Sequence, residues 1–358
     1  MTRATRATIN LRALQHNLTI ARQHAPGSRL MAIIKANGYG HGMVEVAQAL
    51  DDADAFGVAS IDEAISLREA GIPQAVVLLE GFVRADELRL IDGYQLQPVI
   101  HHPDQIAILE QTPGPALDLW LKVDTGMHRL GIAPQETPAM LTRLLNCPRV
   151  ASVRLMTHLA NADDREDDYT LEQIRRFETL DDLSVTARSI ANSAGLLGWS
   201  QSKSDWARPG IMLYGASPFI NSVGEQQDLQ PVMTLRSQLI AVNRHGTGEP
   251  IGYGGSWRCP EAMPVGVVAI GYGDGYPRHV PSGTPVLLGG KRVPIVGRVS
   301  MDMLCLDLRE CPDATIGDEV ILWGEGLPVE EIATAAGTIA YELLCKVTSR
   351  VDFEYVHH

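Results

Sequence analysis

Over roughly the first 215 residues, short β-branched apolar runs alternate with polar stretches of helical texture. The runs are LMAIIKAN, AFGVAS, AVVLLEG, LQPVI, LDLWLKVD, SVRLMTHLA, VTARSIANS and IMLYGAS, and stretches such as DEAISLREAG and DYTLEQIRRFETL separate several of them. Strands alternating with helices imply βα units around a parallel sheet. Eight runs predict a (β/α)8 TIM barrel. From about Pro231 the pattern changes to strands broken by Gly and Pro, with a hairpin in VLLGGKRVPIV and one late helix at VEEIATAAGTIAYELLCKV. FINSVGEQQDLQ, polar and without a period, predicts the connection. The expected organisation is an α/β chain with a barrel domain over 1–230, whose first few residues pair with the following domain, and a mainly β domain over 231–358.

Composition narrows the function classes. A chain of 358 residues with 45% hydrophobic and 20% charged residues can bury a large core. No uncharged apolar stretch reaches the roughly 18 residues of a membrane span. The opening MTRATRATINLRALQHN has no apolar secretory region, so a cytoplasmic protein is expected. Cys147, Cys259, Cys305, Cys311 and Cys345 are odd in number, scattered and without a CxxC pair, which points away from a disulfide framework and from zinc. A formal net charge of −13 without a Lys/Arg cluster opposes nucleic-acid binding.

Candidate chemistry gathers at the ends of the predicted strands. KANGYGHG places Lys35 at the end of the first barrel strand and Tyr39 on a glycine-rich loop beyond it, the edge where barrel active sites sit. A lysine there can form a Schiff base through its neutral amine. The sixth run ends near His158 and the seventh in Asn192 and Ser193, while Arg208-Pro209-Gly210-Ile211 leads into the eighth. Ser193 and the backbone of Gly210 and Ile211 suit a phosphate held by the loops after strands seven and eight. Each residue alone also fits an ordinary rim position; their coincidence at one rim is what points to a site. In LKVDTGMHRLG, Arg129 could grip a carboxylate in bidentate fashion, or the segment with Lys122 and Asp124 could be a charged loop with internal ion pairs. In the β domain, IGYGG, AIGYGDGYPR and VSMDM set Tyr253, Tyr272, Asp274 and Asp302 among glycines that permit close backbone approach.

In this order KANGYGHG, KVDTGMHRLG, RPGIMLYG, GYGG, GYGDGYPR and SMDM resemble the bacterial alanine racemase family over nearly the whole chain, with Gly38 where the usual motif has alanine. The resemblance implies a cofactor, pyridoxal 5′-phosphate, carried by Lys35, with its phosphate held by Tyr39, Ser193, Gly210, Ile211 and Tyr341 beside Asn192. Arg208 would face the pyridine nitrogen and, as a permanent donor, keep it unprotonated. Two bases on opposite faces of the amino acid would be Lys35 and Tyr253, the latter from a second subunit, so that a homodimer shares its active sites. His158 would support Tyr253. Arg129 and the Met301 backbone would orient the substrate carboxylate, Tyr272 and Asp302 would complete the wall, and Arg278 with Asp163 would line the entrance. Lys122 matches a lysine that is carbamylated in some relatives. The implied activity is interconversion of L- and D-alanine, supplying D-alanine for peptidoglycan.

Two other functions share part of this pattern. A pyridoxal-phosphate amino-acid decarboxylase of the same architecture would keep the lysine and phosphate loops but generally pairs the ring nitrogen with an acid and uses a cysteine motif from the second subunit. A non-catalytic pyridoxal-phosphate carrier or regulator would be a shorter, single barrel.

Overall fold

A computed structural model describes residues 4–357. By the density of their internal contacts these form two units, each with its own core. One comprises 15–213 with Pro218–Ser222; the other comprises the described residues up to Leu14, Tyr214–Ser217 and the described residues from Val223 on. Strand β1 (Arg6–Asn10) therefore precedes the barrel in sequence but belongs to the β unit.

The barrel unit is a closed ring of parallel strands: β2 (Arg29–Ile33), β3 (Ala55–Val58), β4 (Ala75–Leu78), β5 (Gln97–Ile100), β6 (Leu117–Lys122), β7 (Val150–Met156), β8 (Arg188–Asn192) and β9 (Trp206–Arg208). All residues of AFGV in β3 are buried, as expected of a strand covered on both faces. Helices return the chain between strands; Ile61–Glu69 starts where the Ser60 side chain accepts the Glu63 N–H, a serine N-cap. Trp120 is fully buried and meets Trp206 edge to face at 5.7 Å between ring centroids.

The barrel is the predicted one, with one strand displaced. IMLYGAS is not the eighth strand. Ile211–Tyr214 forms a 3-10 turn, closed by Leu213 N–H on the Gly210 carbonyl, and the ring is completed earlier by Trp206–Arg208. The physical reason is Pro209, which has no N–H to give a neighbouring strand, so past Arg208 only its carbonyl still pairs, accepting Ile33 N–H at 2.9 Å, and the regular ladder stops.

The β unit holds an eight-stranded sheet. Its further strands are β10 (Met233–His245), β13 (Met263–Val268), β14 (Pro285–Leu288), β15 (Lys291–Val296), β16 (Leu304–Asp307), β17 (Glu319–Trp323) and β18 (Asp352–Val356), with a small separate pair, β11 (Pro250–Ile251) and β12 (Trp257–Arg258). β1 lies between β10, antiparallel with Ala7 opposite Leu235, and β18, parallel with Ile9 opposite Tyr355. The predicted hairpin is β14–β15, turned by Gly289 and Gly290 at φ 57° and 77°, the left-handed pair a two-residue turn needs. The late helix is two, Val329–Ala335 and Ala340–Cys345, broken at Gly337, whose φ of 66° ends the first. Among the described residues no helix is long and apolar enough to cross a membrane.

Candidate active site

Lys35 follows β2 on a turn of unusual hand. Ala36, Asn37 and Gly38 have φ/ψ of 53/50, 54/46 and 63/44°, and Tyr39 and Gly40 continue at φ 51° and 82°. Successive left-handed residues cost about 1–2 kcal/mol each where a Cβ is present, so tertiary bonds must hold them. Glu63 supplies one, accepting Ala36 N–H at 2.7 Å while its other oxygen takes Ala59 N–H at 2.8 Å. The Asn37 side chain accepts Met43 N–H at 3.0 Å, and the ring of buried His41 bonds the carbonyls of Gly38 and Tyr39. This turn buries Tyr39 and brings its hydroxyl against Gly210, where a Cβ would lie 2.8 Å from the oxygen.

Ser193 stands at the end of β8, buried, its hydroxyl accepting Gly210 N–H at 2.8 Å and Met212 N–H at 3.4 Å. The side chain of Asn192 is occupied in capping the following short helix through Gly195 N–H at 2.8 Å. Arg208 ends β9, buried, with Nη1 donating to Ser189 Oγ at 2.5 Å and Nη2 to the carbonyls of Thr157 and Ile190. Burial lowers its pKa to about 10, which still leaves it protonated at neutral pH.

Lys122 ends β6, and its pKa is lowered to about 8, first by burial and then by the charges of Arg208, Arg129 and Lys35, against which Asp124 acts weakly. His158 is pushed well below the usual histidine range by burial first and then by Arg208, Lys122, Arg129 and Lys35. It is therefore neutral. Four cationic side chains thus converge on one histidine, an arrangement that favours an anionic guest.

Arg129 itself is exposed on a loop that is tied from three sides. Asp124 accepts Gly126 N–H and His128 N–H, each at 3.0 Å, the Tyr169 hydroxyl donates to the Gly126 carbonyl at 2.8 Å, and Arg176 donates to the Thr125 carbonyl at 3.0 Å. Fully buried Gln173, on the helix Tyr169–Glu178, joins this loop to the His158 segment. Its Oε1 accepts Ala160 N–H at 2.8 Å, and its Nε2 donates to the His158 carbonyl at 3.1 Å and toward Thr125 Oγ1 at 3.4 Å.

The structure thus brings the barrel candidates to one rim, the C-terminal edge of the strands. Asp163 is exposed in the same unit. The remaining candidates belong to the β unit. Tyr253 is 67% exposed on a turn after Gly252, whose φ is 70°, Tyr272 is 39% and Met301 51% exposed, Arg278 is exposed, and Tyr341 lies on the helix Ala340–Cys345. Two backbone bonds join the turns of Tyr272 and Met301: Tyr272 N–H to the Ser300 carbonyl at 3.0 Å and Gly273 N–H to the Met301 carbonyl at 2.8 Å.

Two family models match in succession, the alanine racemase N-terminal domain over residues 9–218 and the alanine racemase C-terminal domain over 232–355. The chain belongs to the alanine racemase family. It is 52% identical to an alanine racemase of Coxiella burnetii over 99% of both chains, and 51% identical to one of Aeromonas hydrophila over 98% of this chain and 99% of that one. Among solved structures, a biosynthetic alanine racemase from Pseudomonas aeruginosa superposes with a TM-score of 0.97 at 44% identity, covering 99% of this chain and 100% of that one. An alanine racemase from Bartonella henselae, solved with covalently bound pyridoxal phosphate, superposes at 0.89 with 28% identity, covering 99% of each.

Sequence reasoning about this racemase-family rim missed Gln173, Ser189 and Thr157, which hold candidates rather than being candidates. Gln173 left one trace, a polar residue on the face of its helix that also buries Thr170, Ile174 and Phe177.

Proposed function

We propose that the chain interconverts L- and D-alanine with pyridoxal 5′-phosphate as cofactor, using Lys35 and Tyr253 as bases on opposite faces of the substrate. The observation that carries this reading is the cationic rim around Lys35, in a chain that matches the racemase family along its length. The donor set fits the cofactor: Ser193, Tyr39 and the Gly210–Ile211 backbone form a close-packed cradle for a phosphate, and Arg208, held by three acceptors, offers a fixed donor to a ring nitrogen. Asn192 supports that cradle as a helix cap, and Tyr341 would add its hydroxyl. The chemistry supplied by bound pyridoxal phosphate is delocalisation of the electron pair left when the α-proton departs.

The chain's own groups supply the rest. Lys35 Nζ takes or returns the α-proton on one face, and Tyr253 Oη does so on the other. His158, kept neutral at working pH, can accept a hydrogen bond from the phenol and so support Tyr253. Arg129 grips the alanine carboxylate, Met301 N–H orients it, and Tyr272 and Asp302 wall it, with Arg278 and Asp163 toward solvent. With a pKa of about 8, Lys122 keeps enough neutral amine to take up carbon dioxide, and the resulting carbamate would turn a cation that repels Arg129 into an anion that aligns it. Tyr253, Tyr272 and Met301 are large and solvent-exposed in the single chain, which supports a homodimer in which they complete the rim of the other subunit. Incubation with L-alanine in heavy water tests the reading. D-alanine labelled at the α-carbon is expected; carbon dioxide without D-alanine would indicate the decarboxylase, and neither product would overturn catalysis on alanine.

A further inference from the structure

We infer that Arg350 is a positioning residue for substrate binding: it neutralises Asp302 beside the proposed carboxylate site and locks the turn of Met301 to the turn of Tyr272. This rests on the racemase reading above. Arg350 follows the helix that carries Tyr341, and its guanidinium reaches two carboxylates at once. Nη2 donates to Asp302 Oδ1, and Nε lies 3.3 Å from Asp274 Oδ1. Asp274 is fully buried at the end of the Tyr272 turn, with its second oxygen accepting Gly271 N–H at 3.0 Å. Gly273 makes room for the cation, since a Cβ there would lie 2.3 Å from Arg350 Nη1. The same segment adds Thr348, whose N–H donates to the Asp274 carbonyl at 3.1 Å and whose hydroxyl donates to the Gly273 carbonyl at 3.0 Å.

Charge gives this latch a role beyond shape. Alanine presents a carboxylate to Met301 N–H, and the next residue is the acid Asp302. A bare Asp302, half-exposed, would repel that carboxylate; paired with Arg350 it does not. Losing the cation should therefore weaken substrate binding more than turnover, because the repulsion acts on ground and transition states alike.

The test is steady-state racemisation by holoenzyme carrying Arg350→Met, Arg350→Lys, Asp302→Asn or the pair Arg350→Met with Asp302→Asn. Arg350→Met should raise KM for alanine about tenfold with kcat within about twofold. Arg350→Lys, which keeps the charge but reaches one carboxylate at a time, should fall between. Adding Asp302→Asn to Arg350→Met should bring KM back to within about threefold of the Asp302→Asn value, a rescue that a merely structural role does not give. If Arg350→Met does not fold, as thermal unfolding will show, Arg350→Lys with and without Asp302→Asn carries the same comparison. An unchanged KM in the Arg350 variants, or no rescue in the pair, overturns the inference while leaving the racemase reading intact. An unaltered chain that does not racemise alanine overturns both.

Discussion

Replacing Gln173 by Met keeps nearly the same volume and removes all of its hydrogen bonds. The Ala160 N–H and the His158 carbonyl, at 2.8 and 3.1 Å, lose their partner in a part-buried setting, while Thr125 keeps its hydroxyl contact with Thr157 at 2.7 Å. An orphaned buried polar group costs about 1–3 kcal/mol, and the part-buried setting puts these two near the lower end, so a loss of about 2–4 kcal/mol is expected. For a unit of this size that is a fall in Tm of roughly 4–16 °C. Urea denaturation of the cofactor-free chain measures the first figure and calorimetry the second. Because the same amide joins the His158 segment to the loop of Arg129, racemisation should fall with a raised KM for alanine. Gln173→Glu retains only the acceptor for Ala160 N–H and places a carboxylate before a carbonyl. Its folded pKa is then raised, so its deficit should be smaller near pH 5 than at pH 7, the protonated acid being able to donate to His158. A Gln173→Met chain within about 0.5 kcal/mol of the parent would refute the view that this amide holds the rim together.

The depressed pKa of Lys122 fixes a sign: between about 8 and the ordinary lysine value the unfolded chain holds one more proton than the folded one, so stability of the cofactor-free chain rises with pH there. Lys122→Met should flatten that limb and stabilise the chain at pH 7 by up to about 3 kcal/mol, read as the difference between the two denaturation profiles. Lys35→Ala should abolish both racemisation and the absorbance of a lysine-linked cofactor, and retention of that absorbance would remove Lys35 from its role. Tyr253→Phe should slow racemisation at least about 100-fold in both directions, since the two enantiomers are equal in energy, yet leave α-proton exchange with heavy water for one enantiomer only; loss of exchange for both would count against two separate bases. Gly210→Ala places a methyl 2.8 Å from the Tyr39 hydroxyl and should weaken cofactor uptake in a reconstitution titration while leaving the fold intact by circular dichroism.

What could be read in the sequence follows from how local its cause is. The strands of the barrel announce themselves because burial on both faces demands uninterrupted apolar residues, and the rim positions of Lys35, Ser193 and Arg208 are legible because strand ends define the rim. IMLYGAS misled for the same reason: Ile211, Met212 and Leu213 are fully buried without being a strand, and an apolar run does not disclose which backbone conformation buries it. The break in the late helix hung on the left-handed conformation of Gly337, which a glycine permits but does not require. Gln173, Ser189 and Arg350 stayed hidden because their meaning lies in partners: Arg350 meets Asp302, which is 48 positions away along the chain. Nothing local marks such a pair.

The backward-handed turn after β2 bears on any attempt to graft this lysine elsewhere. KANGYGHG carries no conformation of its own, since a free peptide of these residues has no reason to populate the left-handed region at Ala36, Asn37 and Tyr39. The shape is imposed by Glu63 from the helix Ile61–Glu69, by the Asn37 bond to Met43 and by the buried His41 ring. A transplant of the eight residues alone should yield an ordinary lysine on an ordinary loop. The transferable module is the motif together with the helix Ile61–Glu69 that braces it, and a scaffold lacking an acid at the position of Glu63 would let the turn relax and the lysine swing away.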